Sequence, residues 1–238
     1  MSLPPFHWWR TVFFLIPVIA IYTIVLGTLS LVAGLIDRRG NLAHRCAQLW
    51  ARFIVVTSGV RIQPSGRPLP PAGASAVFVA NHESFFDVPI VFSALPRQLR
   101  IMAKSSLIYV PFIGWHLYRS GHVLVDRHRP GASIFKRMRR MARSGASLIV
   151  FPEAGRNDGV LLTFKAGIFL LAIEHGLPIV PITILGSREV MPRGRLRVEP
   201  GVVGVVVHDA VPTSGLARGD ARSLAARVEA IVQSALPS

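Results

Sequence analysis

The sequence predicts an α/β protein with a central, largely parallel β-sheet flanked by helices and an N-terminal membrane-embedded helical segment. Three observations lead there. Short apolar runs at residues 75–80, 147–151 and 179–185 alternate with longer helix-like segments, the pattern of βαβ units around a parallel sheet. Residues 11–36 carry no formally charged side chain over 26 consecutive positions. Several apolar runs also stop abruptly at polar residues, most clearly where residues 75–80 run into Asn81-His82-Glu83-Ser84-Phe85-Phe86-Asp87.

Taken in order, residues 11–36 come first. At ~1.5 Å rise per residue, a helix of that length exceeds the ~30 Å hydrocarbon core of a bilayer. Trp8 and Trp9 stand where an interfacial aromatic belt is expected. Arg10 precedes the segment, while Arg38, Arg39, Arg45 and Arg52 follow it. By the positive-inside rule the bulk of the chain is expected on the cytoplasmic face of the cytoplasmic membrane. Pro17, Gly27 and Gly34 also permit a bent helix that embeds without crossing, so spanning and embedding both stand. A cleaved signal peptide fits poorly, because the apolar run is too long and the basic flank is on the wrong side.

Residues 41–58 form an amphipathic helix, with Leu42, Cys46, Leu49, Trp50, Phe53 and Ile54 on one stripe and Gly59 at its C-cap. It packs on the core or lies on the membrane surface. Residues 1–58 are therefore read as a membrane segment and residues 59–238 as the main domain. Within that domain, residues 60–63 form a short strand and residues 64–73 a Pro/Gly-rich link. Strands are expected at 75–80, 99–103, 123–125, 147–151, 179–185 and 202–207. Helices are expected at 89–95, 132–144, 164–175 and 222–236. Residues 109–114 are an apolar, aromatic patch that serves as a lid or a plain core contact. Residues 132–144 carry Lys136, Arg137, Arg139, Arg140 and Arg143, a solvated face or a contact for anionic lipid.

Composition bounds the chemistry. The chain has 238 residues, 51% hydrophobic and 16% charged, with 27 Lys+Arg against 12 Asp+Glu for a formal charge of +15. That balance favours a membrane surface, phosphorylated substrates or nucleic acid. The basic residues are scattered and no nucleic-acid motif occurs, so no nucleic-acid partner is expected. One cysteine, Cys46, excludes an internal disulfide and a Cys-rich zinc site, and no metal cluster is expected. No Gly-x-Ser-x-Gly elbow occurs, which removes the usual esterase signature.

Four spots are read as polar strand ends: His82/Asp87, Asp126/Arg127, Glu153/Arg156 and the turn at Pro178–Pro181. Strand ends along one edge of a parallel sheet converge on a single mouth. His82 with Asp87 supplies a general base and its carboxylate, while Arg127, Arg156 and Lys165 supply cations for an anionic substrate. Each residue also has a plain alternative. Asp87 could cap a helix through Ser84-x-x-Asp87, His82 could be a satisfied core histidine, and Glu153 could pair with Arg156.

The motif Asn81-His82-x-x-x-x-Asp87 resembles the His-(four residues)-Asp motif of the glycerolipid acyltransferases, specifically the 1-acylglycerol-3-phosphate acyltransferase family. Gly121-His-Val-Leu-Val-Asp-Arg127 is similar to its second block, Phe151-Pro-Glu153-Ala-Gly-Arg156 to its third, and Pro178-Ile-Val-Pro181-Ile to its fourth. The resemblance covers about residues 40–215. It implies a membrane-bound enzyme that moves an acyl group from acyl-CoA or acyl-carrier protein to a lysophospholipid hydroxyl, with no cofactor beyond that co-substrate. It also implies His82 and Asp87 as catalytic residues, and Arg127, Glu153, Arg156 and Lys165 as substrate-binding residues. Ala154-Gly155 departs from the family's Gly-(Thr or Ser), which leaves open another acceptor such as lyso-ornithine lipid. A non-catalytic, basic, membrane-tethered lipid-binding protein is the rival reading. Oligomeric state is not legible in the sequence.

Overall fold

The computed structural model describes residues 5–37, 39–71, 73–126, 133–153 and 155–237. Arg38, Arg127 and Ala154 therefore lie outside the described residues, as does residue 132, the expected start of the basic helix.

The N-terminal apolar stretch forms a continuous rod: α1 (Phe6–Arg10), a π-helical stretch (Thr11–Leu15) and α2 (Ile16–Ile36). Pro17 lacks an N–H for the helical ladder, and the wider π turn just before it takes up the mismatch. Arg10 ties the rod down by donating to the Thr57, Ser58 and Val198 carbonyls. α3 (Asn41–Ser58) folds back against α2 and ends at Gly59, whose φ of 77° is the left-handed cap a glycine supplies.

A seven-stranded sheet follows, in the order β1-β7-β6-β2-β5-β3-β4. Its strands are β1 (Val60–Gly66), β2 (Val77–Ala80), β3 (Leu99–Lys104), β4 (Val123–Val125), β5 (Ser147–Val150), β6 (Ile179–Leu185) and β7 (Gly201–Val207). β2 to β6 are mutually parallel. β7 runs antiparallel to β6, and β1 lies parallel to β7 at the edge. The largely parallel sheet expected from sequence is present. β1 is longer than expected because an edge strand tolerates Pro64.

Helices cover both faces. Phe78 and Ala80 of β2 point into one apolar layer with Ile54, Val55 and Ile90, while Val77 and Val79 point into the other with Phe169, Ala172 and Val228. The first layer is closed by α3, α4 (Asp87–Ala94) and α5 (Ile113–Arg119); the second by α6 (Ser133–Arg143), α7 (Gly167–Glu174) and α9 (Ala221–Gln233). A four-residue α8 (Ser187–Val190) follows β6 directly. Leu15 of the N-terminal rod is fully buried within the first layer, so the rod and the sheet share a core.

The rod is one helix long and apolar enough to cross a membrane, and it is little buried by the rest of the protein. Leu49, Phe53 and Val56 of α3, and Tyr109, Trp115 and Tyr118, are exposed as well. The aromatic patch at 109–114 becomes the hinge between a 3₁₀ turn (Ser105–Tyr109) and α5. Phe112 sits there at φ 61°, a conformation costly for a bulky residue, and packs against Gly27 of α2.

Candidate active site

Because β2 to β6 are parallel, their carboxyl ends share one edge of the sheet. β2 delivers Asn81 and His82 there, β5 delivers Phe151, Glu153 and Arg156, and β6 delivers Ser187 and Arg188. Pro178–Pro181 does not belong to this set. It begins β6 and therefore lies at the opposite edge, with Pro181 paired to Val79 inside the sheet.

Asn81 is fully buried and extends the β2–β6 ladder with its side chain. Its Nδ2 donates to the Ile184 carbonyl at 2.9 Å, and its Oδ1 accepts from the Ile184 amide at 2.7 Å. This fixes the point at which the chain leaves the sheet. His82 Nδ1 then lies 2.7 Å from Asp87 Oδ2. The same oxygen accepts from the Glu83 and Ser84 amides at 2.8 and 2.9 Å. Asp87 therefore both caps the turn and holds the imidazole. It is fully buried, and its Oδ1 has no partner among the described residues. Nδ1 facing a carboxylate carries the proton, which leaves Nε2 as the basic nitrogen. The ring keeps 18% of its side-chain surface exposed and stacks on Phe151, centroids 4.4 Å apart.

Glu153, expected to bind substrate, is instead spent on the protein. Its carboxylate accepts from the His82 amide at 2.7 Å, from Asn157 Nδ2 at 2.7 Å and from the Leu162 amide at 2.8 Å. It is 4% exposed, and burial pushes its pKa up. A carboxylate filled in this way fastens the β5 loop to the β2 loop and fixes the backbone of the histidine. The Asn157 amide adds a bond to the His82 carbonyl at 2.7 Å. Glu153 does not pair with Arg156.

Arg156 lies at the mouth, its guanidinium carbon 3.6 Å from the centroid of the exposed Phe85 ring. It feels the Asp87 carboxylate; burial and the neighbouring Arg193 lower its pKa. Lys165 is exposed in the loop before α7, its amide bonded to the Pro152 carbonyl. Arg127 lies outside the described residues, one position beyond Asp126.

Two acids and one cation were missed by sequence reasoning. Glu83 is 9% exposed with its pKa raised to about 7, first by burial and then by Asp87. Glu189 of α8 adds to that repulsion. Arg188 pairs with Asp158 at 3.2 Å across the same edge. The signal for the α8 pair was available, since they follow the 179–185 apolar run after only Gly186 and Ser187.

Beside this edge, Val88 of α4 borders an apolar cavity of about 150 Å³ between α2, α3 and α5, lined also by Leu26, Trp50, Phe92, Ile101 and Leu117. It separates the sheet from the N-terminal rod.

Fold and site define an α/β protein with a histidine–aspartate pair at the carboxyl edge of a doubly covered parallel sheet. The chain belongs to the acyltransferase family, whose model matches residues 61–185. It is 38% identical over 148 residues to a 1-acyl-sn-glycerol-3-phosphate acyltransferase of Chlamydomonas reinhardtii, covering 60% of this chain and 44% of that one. It is 34% identical over 175 residues to the chloroplastic 1-acyl-sn-glycerol-3-phosphate acyltransferase LPAT1 of Arabidopsis thaliana, covering 71% and 49%. The chain thus spans about half the length of these curated relatives. The fold matches the crystal structure of the 1-acyl-sn-glycerophosphate acyltransferase PlsC from Thermotoga maritima, with a TM-score of 0.73 at 22% identity over 92% of this chain and 93% of that one.

Proposed function

We propose that the protein is a membrane-bound O-acyltransferase. It moves a fatty acyl group from acyl-CoA or acyl-carrier protein to the free hydroxyl of 1-acylglycerol-3-phosphate, giving phosphatidic acid. The observation that carries this reading is the His82–Asp87 pair, whose basic Nε2 stands at the mouth where Arg156 is held over Phe85. The relatives that bear the name of this activity support it.

His82 Nε2 takes the acceptor's hydroxyl proton as the oxygen attacks the thioester carbonyl. Asp87 stabilises the imidazolium that forms. When the tetrahedral intermediate collapses, the C–S bond breaks and the imidazolium returns its proton to the departing thiolate. The chemistry therefore balances with donor and acceptor alone. The Glu83 and Ser84 amides are occupied by Asp87, so the helix start after His82 cannot lend those two groups to the oxyanion. Arg156, Arg127 and Lys165 hold the acceptor phosphate, and Glu153 supports His82 from behind. The apolar rod and its exposed aromatic flank seat the domain on the membrane, on the cytoplasmic side by the distribution of arginines.

Thiol release by purified protein, offered both donors and a panel of lyso-lipids, tests this reading. Lysophosphatidic acid is the expected acceptor. Lyso-ornithine lipid is in the panel because Ala154-Gly155 removes the hydroxyl the family places there. His82→Ala should abolish turnover, and Asp87→Asn should lower kcat by about 10⁴-fold with KM little changed, by the precedent of wrong-tautomer triads. Near-normal rates in either variant would sink the mechanism.

A further inference from the structure

A second polar cavity, of about 580 Å³, lies at the other edge of the sheet, where β3, β4 and β5 begin. Among the described residues six cations line it: Arg39, Arg100, Arg119, Lys136, Arg137 and Arg140. They come from the loop after α2, from β3, from the end of α5 and from α6. Asp37 is the one acid among the described lining residues, and its two oxygens already accept from the Arg39 and Leu42 amides. Among the described residues none of the six cations has a carboxylate within 4.0 Å.

Arg100 makes this more than a basic surface. It is 5% exposed, and among the described residues its guanidinium donates only to carbonyls, those of Leu99 and Arg39. Gly40 at φ 74° brings the backbone so close that a Cβ there would lie 2.9 Å from Arg100 Nη2. Arg137 closes the far wall, donating to the His122 carbonyl at 2.7 Å and lying over the Tyr118 ring. A buried guanidinium whose nearby carboxylate, Asp37, stays beyond ion-pair distance, and which shares its cavity with five more cations, is an electrostatic cost that an anion removes. Burial holds its pKa down to about 10, and the Asp37 carboxylate offsets that only in part.

The position of the cavity selects the anion. Gly34, in the last turn of the apolar rod, forms part of the wall, and the Arg119 stem lies against it. The next residues of the rod, Leu35 and Ile36, are 68% and 78% exposed. A phosphate in the cavity therefore has apolar surface beside it on which acyl chains can lie.

We propose that this cavity is a binding site for the phosphate headgroup of an anionic membrane phospholipid, separate from the His82 site and placed where the rod leaves the bilayer. The proposal rests on the membrane seating of the rod and not on the transferase reaction.

The test uses the full chain in neutral detergent, titrated with phosphatidylglycerol or phosphatidylcholine and read by native mass spectrometry. Flotation on phosphatidylcholine vesicles reports membrane seating separately. The wild type should retain phosphatidylglycerol selectively. Arg119→Gln with Arg140→Gln, both on exposed side chains, should weaken that binding by roughly 10- to 30-fold, from about 1 kcal/mol per cation. Arg222→Gln with Arg227→Gln removes the same charge from the exposed face of α9 and should leave it within about twofold. Arg100→Gln should weaken binding at least as much; if that variant does not fold, the exposed pair carries the test. Equal losses in the two double variants, or no preference over phosphatidylcholine while flotation persists, would overturn the site. Inorganic phosphate binding as tightly as the lipid, or loss of acyl-carrier protein binding instead of lipid binding in the cavity variants, would overturn the lipid assignment.

Discussion

Glu83 is a residue whose chemistry is strongly altered by its surroundings. It stands between His82 and the turn that Asp87 caps, nearly buried, with Asp87, Glu189 and Glu153 all raising its pKa, to about 7 against an ordinary 4.5. The folded state thus binds a proton that the unfolded chain releases above pH ~4.5. The folded state is penalised progressively as pH rises from about 4.5 to about 7, and the full penalty remains above that. Glu83→Gln removes it. The variant should gain about 1–3 kcal/mol over wild type at pH 8 and nothing near pH 4. Urea unfolding in detergent at the two pH values measures this, and a gain independent of pH would show that Glu83 is not the titrating group. At this scale the sequence was only half legible. His82 and Asp87 could be named from their spacing, because a five-residue step across a strand-to-helix turn brings them within reach. The filling of Glu153 by the His82, Asn157 and Leu162 donors could not, because two of the three donors come from a loop without periodicity.

At the level of elements, legibility followed apolar continuity. β2, β5 and β6 are unbroken apolar runs buried on both faces, and their positions could be read directly. Pro181 misled, since a proline inside such a run suggests a turn. It is tolerated because its carbonyl accepts from the His208 amide at the point where the β7 ladder ends, so its missing N–H forfeits little. The contact between α2 and α5 was invisible for a different reason: it depends on an absent side chain. A Cβ on Gly27 would lie 2.8 Å from Phe112 Cβ, and Phe112 is already held at φ 61°. Neither helix can retreat easily, since α2 is pinned by Trp50 Nε1 donating to Thr23 and α5 by Ser30 bonded to His116. Gly27→Ala should therefore cost about 1–3 kcal/mol through overpacking, despite the better helix propensity of alanine. A fall in the midpoint of thermal unfolding in detergent checks it; a rise would mean that Phe112 relaxes freely.

Over the whole molecule, the rod is joined to the sheet through a layer that holds three histidines. His44, His116 and His122 come from α3, from α5 and from the turn before β4, and Arg100 of β3 bears on all three. Each has one ring nitrogen without a partner among the described residues. His122 Nδ1 accepts from the Ile101 amide at 2.9 Å, which requires the neutral ring, while His44 Nε2 donates to the Arg97 carbonyl at 2.6 Å, a bond that partly offsets the effect of burial on its pKa. Burial and Arg100 lower the pKa of His44 and His116 to about 4, and His122 falls well below its ordinary value. The folded state thus refuses protons that the unfolded chain takes up near pH 6.5. Stability contributed by these rings is complete above about pH 6.5 and is lost as pH falls toward 4, in the opposite sense to Glu83. The loss amounts to roughly 3 kcal/mol per ring. Unfolding free energy in a Glu83→Gln background, where Glu153 still opposes and His208 adds in the same sense, should therefore fall with a slope of roughly two to three protons between pH 6.5 and 4. His44→Gln, whose amide can still donate to Arg97, should reduce that slope by about one proton. A flat profile, or a slope unchanged by His44→Gln, would mean that the rings are wetted in the folded protein and that the rod and sheet are not sealed by this layer.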